Sequence, residues 1–158
     1  MGDHRRFEVF AKFIKKQFSP NIYKNIADVA GGQGHLNKTL KSYGFENIIT
    51  FDTRKNKIKN IQYKRKLFSD DCDFKFDLLV GMHPDNATDV IIKEAETQKI
   101  PFIIVPCCIL PTITKFTMQR SYTNWCKHLI KFAESLKFNV KSTILSISGS
   151  NVVIWGNL

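Results

Sequence analysis

Apolar residues recur along this chain in two rhythms, helical and strand-like, and the rhythms alternate in a regular order. From residue 5 to 18, Phe7, Phe10, Ala11, Ile14 and Phe18 share one helical face while Arg6, Lys12, Lys15 and Lys16 lie off it. Ser19-Pro20 closes that helix, because the residue before a proline resists helical backbone. Ile26, Val29 and Ala30 form a short strand-like run that stops at Gly31-Gly32-Gln33-Gly34. Leu36 and Leu40 resume helical spacing as far as Gly44, and Ile48, Ile49 and Phe51 make a second apolar run closed by Asp52. A short helix and a third strand ending near Phe68 are expected next, then a strand from Phe76 to Gly81. A helix over 87–98 follows, with Val90, Ile91 and Ala95 inward, and then an apolar strand that ends at Cys107-Cys108. Residues 109–120 show no periodicity, whereas 117–136 carry a broad helical face that includes Met118, Tyr122, Trp125 and Leu129. Two runs, 140–147 and 152–155, are joined by Ser148-Gly149-Ser150-Asn151 and read as a hairpin.

Composition narrows the class. The 158 residues suit a single domain, 1–158, with 43% hydrophobic and 24% charged residues, as in ordinary globular proteins. No apolar run reaches the roughly 18 residues of a spanning helix, so no membrane partner is expected. The amino terminus lacks an apolar stretch behind its charges, and the four cysteines then read as thiols, which together predict a cytoplasmic protein. A net charge of +10 favours polyanionic partners. The densest run of cations is Arg54 to Lys66, where Tyr63 is interleaved, a composition suited to phosphate contacts and base stacking. It equally suits a solvated sheet edge that lysine protects from pairing.

The chemistry concentrates where the first strand ends. Glycines after a buried strand let backbone approach a ligand closely, and an acid about 20 residues on can take both hydroxyls of a ribose. Dinucleotide folds want a third glycine where this chain has Asn37. Asp28-x-Ala30-Gly31-Gly32-x-Gly34 instead resembles motif I of the class I S-adenosylmethionine (SAM)-dependent methyltransferases. The resemblance implies an α/β three-layer sandwich, a Rossmann-like fold with a mixed seven-stranded sheet, six strands parallel and one antiparallel, closed by the C-terminal hairpin. It implies SAM as cofactor, with Ala30, Gly31, Gly32 and Gly34 along its methionine part, Asp52 on the ribose, Asp71 (or Asp70) on the adenine, and Gly81 beside them. Ala30 departs from the usual first glycine.

Two further motifs resemble one branch of that family. Gly81-Met82-His83-Pro84-Asp85-Asn86 is similar to a G-[LM]-H-x-C-G-[DN] pattern with the central Cys-Gly replaced, and Cys107-Cys108 to a Cys-Cys pair after the fifth strand. That branch includes tRNA 2′-O-methyltransferases. The resemblance implies methyl transfer to an RNA, with His83 and Asp85 near the acceptor and His83 as a base; Arg54 of the basic run and the polar Lys115 and Arg120 of residues 109–120 are candidate substrate contacts. A Lys-Asp-Lys-Glu set would need Lys24, Asp85 and Lys115 and lacks its glutamate. Cys107 and Cys108 read either as nucleophiles or as small packing residues, and their spacing predicts no metal. A protein or small-molecule acceptor, or a non-catalytic binding module serving as a subunit of an RNA-modifying assembly, stand as alternatives.

Overall fold

A computed structural model describes residues 3–68 and 74–158. Its elements are α1 (Arg6–Gln17), β1 (Asn25–Val29), α2 (His35–Ser42), β2 (Asn47–Phe51), β3 (Gln62–Lys64), β4 (Leu78–Met82), α3 (Thr88–Gln98), β5 (Phe102–Val105), α4 (Tyr122–Ser135), β6 (Asn139–Ile144) and β7 (Val152–Asn157). The strands form one seven-stranded sheet in the order β3-β2-β1-β4-β5-β7-β6. The first five are parallel, and β7 lies antiparallel between β5 and β6. Six strands therefore point one way and one the other, as expected. Strand order reverses between β1 and β4, which opens a crevice at their carboxyl ends.

Side-chain alternation fills both faces of this sheet. Ile26, Ile48, Leu78, Val80 and Ile103 meet α1 and α2 on one side. Ala27, Val29, Ile49, Leu79 and Ile104 meet α3 and α4 on the other. At 12 residues α1 would be marginal alone in water. It is held by buried Phe10, Ala11 and Ile14, the two large side chains contributing about 1.5–3 kcal/mol each. The eight-residue α2 has no side-chain cap and relies on Leu36, Leu40 and a buried Asn37. The Asn37 amide reaches Ile48 O, Thr50 Oγ1 and Gln62 O at 3.0–3.2 Å. Asn37 thus clamps α2 to the sheet where a dinucleotide fold would place glycine.

Several expectations need correction. No helix links β2 to β3. The segment 53–61 is rich in Arg54, Lys55, Lys57 and Lys59, and Ile58 and Ile61 alone cannot make an apolar face for one. The third strand is only Gln62–Lys64 and stops short of Phe68, which instead packs edge-on to Phe51 at 5.1 Å. Helix α4 starts at Tyr122 rather than near Thr117, because extended Ser121 caps it by accepting from the Asn124 N–H at 3.1 Å. Met118 therefore precedes the helix. In α3, Ile91, Ile92 and Ala95 are fully buried while Val90 is only half-buried. No helix among the described residues is long and apolar enough to cross a membrane.

Candidate functional site

The carboxyl edge of the sheet is built by the glycine loop. Ala30 turns the chain at φ 53, a left-handed conformation that costs a residue with a Cβ about 1–2 kcal/mol. The Gly31 N–H then reaches across to Phe51 O at 3.3 Å, and the Gly32 N–H donates to Asp52 Oδ2 at 2.7 Å. The Tyr63 hydroxyl, within 2.8 Å of Gly32 O and 2.7 Å of Arg54 O, braces both loops. Backbone N–H groups and the expected acid thus face each other across the ends of β1 and β2.

Asp52 is not idle in this arrangement. Its side chain is 5% exposed. Oδ1 accepts from the Arg54 N–H and Nε at 2.9 and 3.0 Å, and Oδ2 from Arg54 Nη2 at 2.9 Å. Burial alone would raise its pKa, but the hydrogen bonds from Arg54 and Gly32 outweigh that and hold it below the usual carboxylate range. Asp52 is therefore ionised, and its oxygens accept from backbone N–H groups and from the exposed Arg54 side chain. Arg54, expected as a substrate contact, is paired with Asp52.

Asp28 lies beneath the loop, fully buried, and accepts from Thr50 Oγ1 at 2.9 Å. Burial pushes its carboxyl up to about 7, against the Thr50 bond and with help from the Asp52 charge. A raised folded pKa means that the fold prefers the proton. The stabilisation is complete below the unfolded value of about 3.9 and is lost as pH rises through about 7. Half-buried His83, whose pKa is lowered by desolvation, gives the opposite slope. The wild-type protein minus Asp28→Asn is thus expected to lose stability from pH 4 to 8, on the order of a few kcal/mol. Urea midpoints at both pH values check this, and a difference that is flat with pH would refute it.

A pocket of about 250 Å³ opens beside the loop, walled by Ala30, Asp52, Leu67, Phe68, Asp85 and Val90 among others. Val90, expected to face the core, lines this pocket instead. Lys66, at the end of the basic run, also lines it.

Residues after β4 hold the other wall. His83 and Asp85 are left-handed at φ 52 and φ 48, so with Ala30 three non-glycine residues in that region gather at this edge. The His83 ring is tied to the β6–β7 turn, Nε2 lying 2.9 Å from Ser150 O. A carbonyl only accepts, so Nε2 carries the proton and is engaged. Asp85 is exposed and accepts the Cys107 S–H at 3.2 Å. Gly81 sits inside β4, where a Cβ would meet Ile91 Cδ1 at 2.7 Å, so its missing side chain makes room for α3.

Asp89 gives the segment after β5 its shape. Fully buried, it accepts the N–H groups of Thr112, Ile113 and Thr114 at 3.0–3.2 Å and the Thr114 hydroxyl at 2.9 Å. The Thr112 hydroxyl also donates to Asn86 O, and Thr112 lines the pocket. Lys115 and Arg120 ride on this segment, exposed, with Arg120 donating to Ile109 O at 3.0 Å. His128 stacks on Trp125 and bonds Thr114 Oγ1, a structural role. Lys24 lies at the amino end of β1, its N–H on Asp77, so the Lys-Asp-Lys-Glu set is not assembled around Asp85. Asp71 and Asp70 lie outside the described residues. Asp28, Asp89 and Ser150 escaped the sequence reading of the site, since their partners are distant in sequence, although Asp28 and Asp89 both fall within the motifs.

No family model and no curated protein matches this chain. Solved structures do. A ribosomal protein L11 methylase from Lactobacillus delbrueckii subsp. bulgaricus is 15% identical at TM-score 0.68, covering 99% of this chain and 80% of that one. A SAM-dependent methyltransferase from Clostridium acetobutylicum is 12% identical at TM-score 0.65, covering 96% and 92%. A magnesium protoporphyrin IX methyltransferase from Synechocystis PCC 6803 with bound SAM is 10% identical at TM-score 0.62, covering 96% and 78%. The chain has the Rossmann-like fold that these class I methyltransferases share.

Proposed function

We propose that this protein is a SAM-dependent methyltransferase that acts on RNA. The observation that carries it is the glycine loop set against ionised Asp52 at the carboxyl ends of β1 and β2, in a fold that the compared methyltransferases share. The residues fit the cofactor. Asp52 would take the ribose hydroxyls, the Ala30–Gly34 loop would lie along the methionine part, and Phe68 and Val90 offer apolar walls for a purine ring. When bound, SAM supplies an electrophilic methyl group on a cationic sulfur. The chain's own work is alignment and exclusion of water, which in-line transfer needs more than acid or base groups. His83 holds the wall in place through Ser150, and Asp85 stands at the pocket rim.

The RNA acceptor rests on charge. The run from Arg54 to Lys66 starts beside Asp52 and ends on the pocket wall, in a chain of net charge +10. The compared proteins offer no guide here, since their names span a ribosomal protein and a porphyrin. A second possibility, a binding module that no longer transfers methyl groups, is favoured by Arg54 spanning both oxygens of Asp52.

Calorimetry with S-adenosylhomocysteine, then with single-stranded RNA at 50 and 200 mM salt, separates these. Micromolar cofactor binding is expected, and RNA affinity should fall about a hundredfold if roughly five phosphates are contacted. No heat and no thermal shift with the cofactor product would sink the methyltransferase proposal. Cofactor binding with no salt-dependent RNA binding would move the acceptor elsewhere. Binding of both without methyl transfer would support the module.

A further inference from the structure

A second group of side chains, which cofactor binding does not require, starts from Asp85 on the pocket wall. Asp85 follows β4, and Cys107 and Cys108 follow β5. One carboxylate oxygen and the two sulfurs all lie within 4.8 Å of one another. No disulfide joins the two cysteines; both are free. Cys107 Sγ and Asp85 Oδ1 are 3.2 Å apart with the thiol proton between them. Zinc binds thiolate at about 2.3 Å and carboxylate at about 2.0 Å, so a tetrahedral site has an S···O edge of about 3.5 Å and an S···S edge of about 3.8 Å. The proton therefore occupies a gap that a metal ion would widen by only a few tenths of an ångström.

We propose that Asp85, Cys107 and Cys108 form a site for one thiophilic divalent cation of the zinc class, with its fourth position open. Two exposed ligands, Asp85 and Cys108, leave that position to solvent, which is the pattern of reactive rather than closed structural sites. Binding displaces two thiol protons to solvent as two metal–sulfur bonds form. Two thiolates and a carboxylate then leave the complex one negative charge in excess of the ion. The Arg54 guanidinium, whose charge interacts with that of Asp85, would partly offset that excess. The ion would bridge the segments after β4 and β5. The site stands independently of the methyl donor, because none of its ligands belongs to the glycine loop or to Asp52.

Cadmium is the probe, added to the reduced, chelator-treated full chain and read by its ultraviolet thiolate-to-metal charge-transfer band. One equivalent per chain is expected, with release of about two protons per ion. Cys107→Ser and Cys108→Ser should each weaken binding at least about tenfold and diminish the band, and Asp85→Asn should weaken binding while keeping it. Cys126→Ser should leave both unchanged. Circular dichroism of each variant separates lost folding from lost ligation, and Asp85→Asn, on the exposed rim, serves if a cysteine variant misfolds. Absence of a band at stoichiometric cadmium would overturn the proposal. So would a band that survives Cys107→Ser with Cys108→Ser, or one ion shared by two chains. S-adenosylhomocysteine titration of the same samples reads the cofactor site separately.

Discussion

Asp52→Ala should weaken S-adenosylhomocysteine binding by roughly thirty- to a hundredfold, the largest functional effect expected of any single change. A hydrogen bond to a charged group contributes about 1.5–3 kcal/mol, and a ribose offers two hydroxyls to one carboxylate. Even at the low end that is about 3 kcal/mol, or two powers of ten. The unliganded protein complicates this, because Arg54 already donates to both oxygens. A ribose must replace those donors, so the cofactor gains only the difference. Arg54→Ala removes the competitor and should tighten binding slightly. Its side chain is 60% exposed, and exposed ion pairs contribute at most about 1 kcal/mol, so the gain stays within about fivefold. Opposite signs for neighbouring substitutions form the test, read by calorimetry. If Arg54→Ala weakens binding as much as Asp52→Ala does, Arg54 is itself a ligand contact and the ribose assignment fails.

Gly31→Ala should be the most damaging substitution for stability in the loop. An added Cβ would lie 2.2 Å from Asp28 Oδ2, 2.5 Å from its Cγ and 2.7 Å from Oδ1. All three atoms belong to a fully buried carboxyl pinned by Thr50, so no rotation of Asp28 clears the contact cheaply. Overpacking costs about 1–3 kcal/mol and sometimes more, and the top of that range is expected here. For a chain of this size that lowers Tm by roughly 6–12 °C. Asp28→Ala in the same chain should recover part of the loss, giving a coupling of up to about 3 kcal/mol in a double-mutant cycle. Gly34→Ala is the contrast. Its Cβ would also come within 2.2 Å of an atom, but that atom is Ile61 Cδ1, the far end of a flexible side chain. Equal damage from Gly31→Ala with and without Asp28 would show that the carboxyl is not the obstacle.

Much of the framework is legible in the chain because its signals are local. The run Ile26–Phe51 has a strand, a glycine turn, a short helix and a strand within one stretch, and each is marked by its own period or stop. The hairpin is marked by Ser148-Gly149 between apolar runs. Met118 continues the apolar spacing and predicts an earlier start for α4, whereas the deciding bond is Ser121 with Asn124. The site is less legible. Asp89 reaches Thr112–Thr114, His83 reaches Ser150 and Asp85 reaches Cys107, each across a fold that periodicity does not describe. Asp52 announces itself by its place after a strand. That Arg54 would fold back onto it depends on a loop that no helix covers.

That uncovered crossing has a consequence for how the protein breathes. With no helix between β2 and β3, the edge strand is held by its ladder to β2, one amide bond from Asn37 and the Tyr63 hydroxyl. An edge strand held in this way is expected to open locally at lower cost than the central strands β1 and β4. Yet the Asp52 N–H bonds to Lys64 O. Each excursion of the edge strand loosens the residue that organises the pocket, and a ligand gripping Asp52 would in turn quiet the edge.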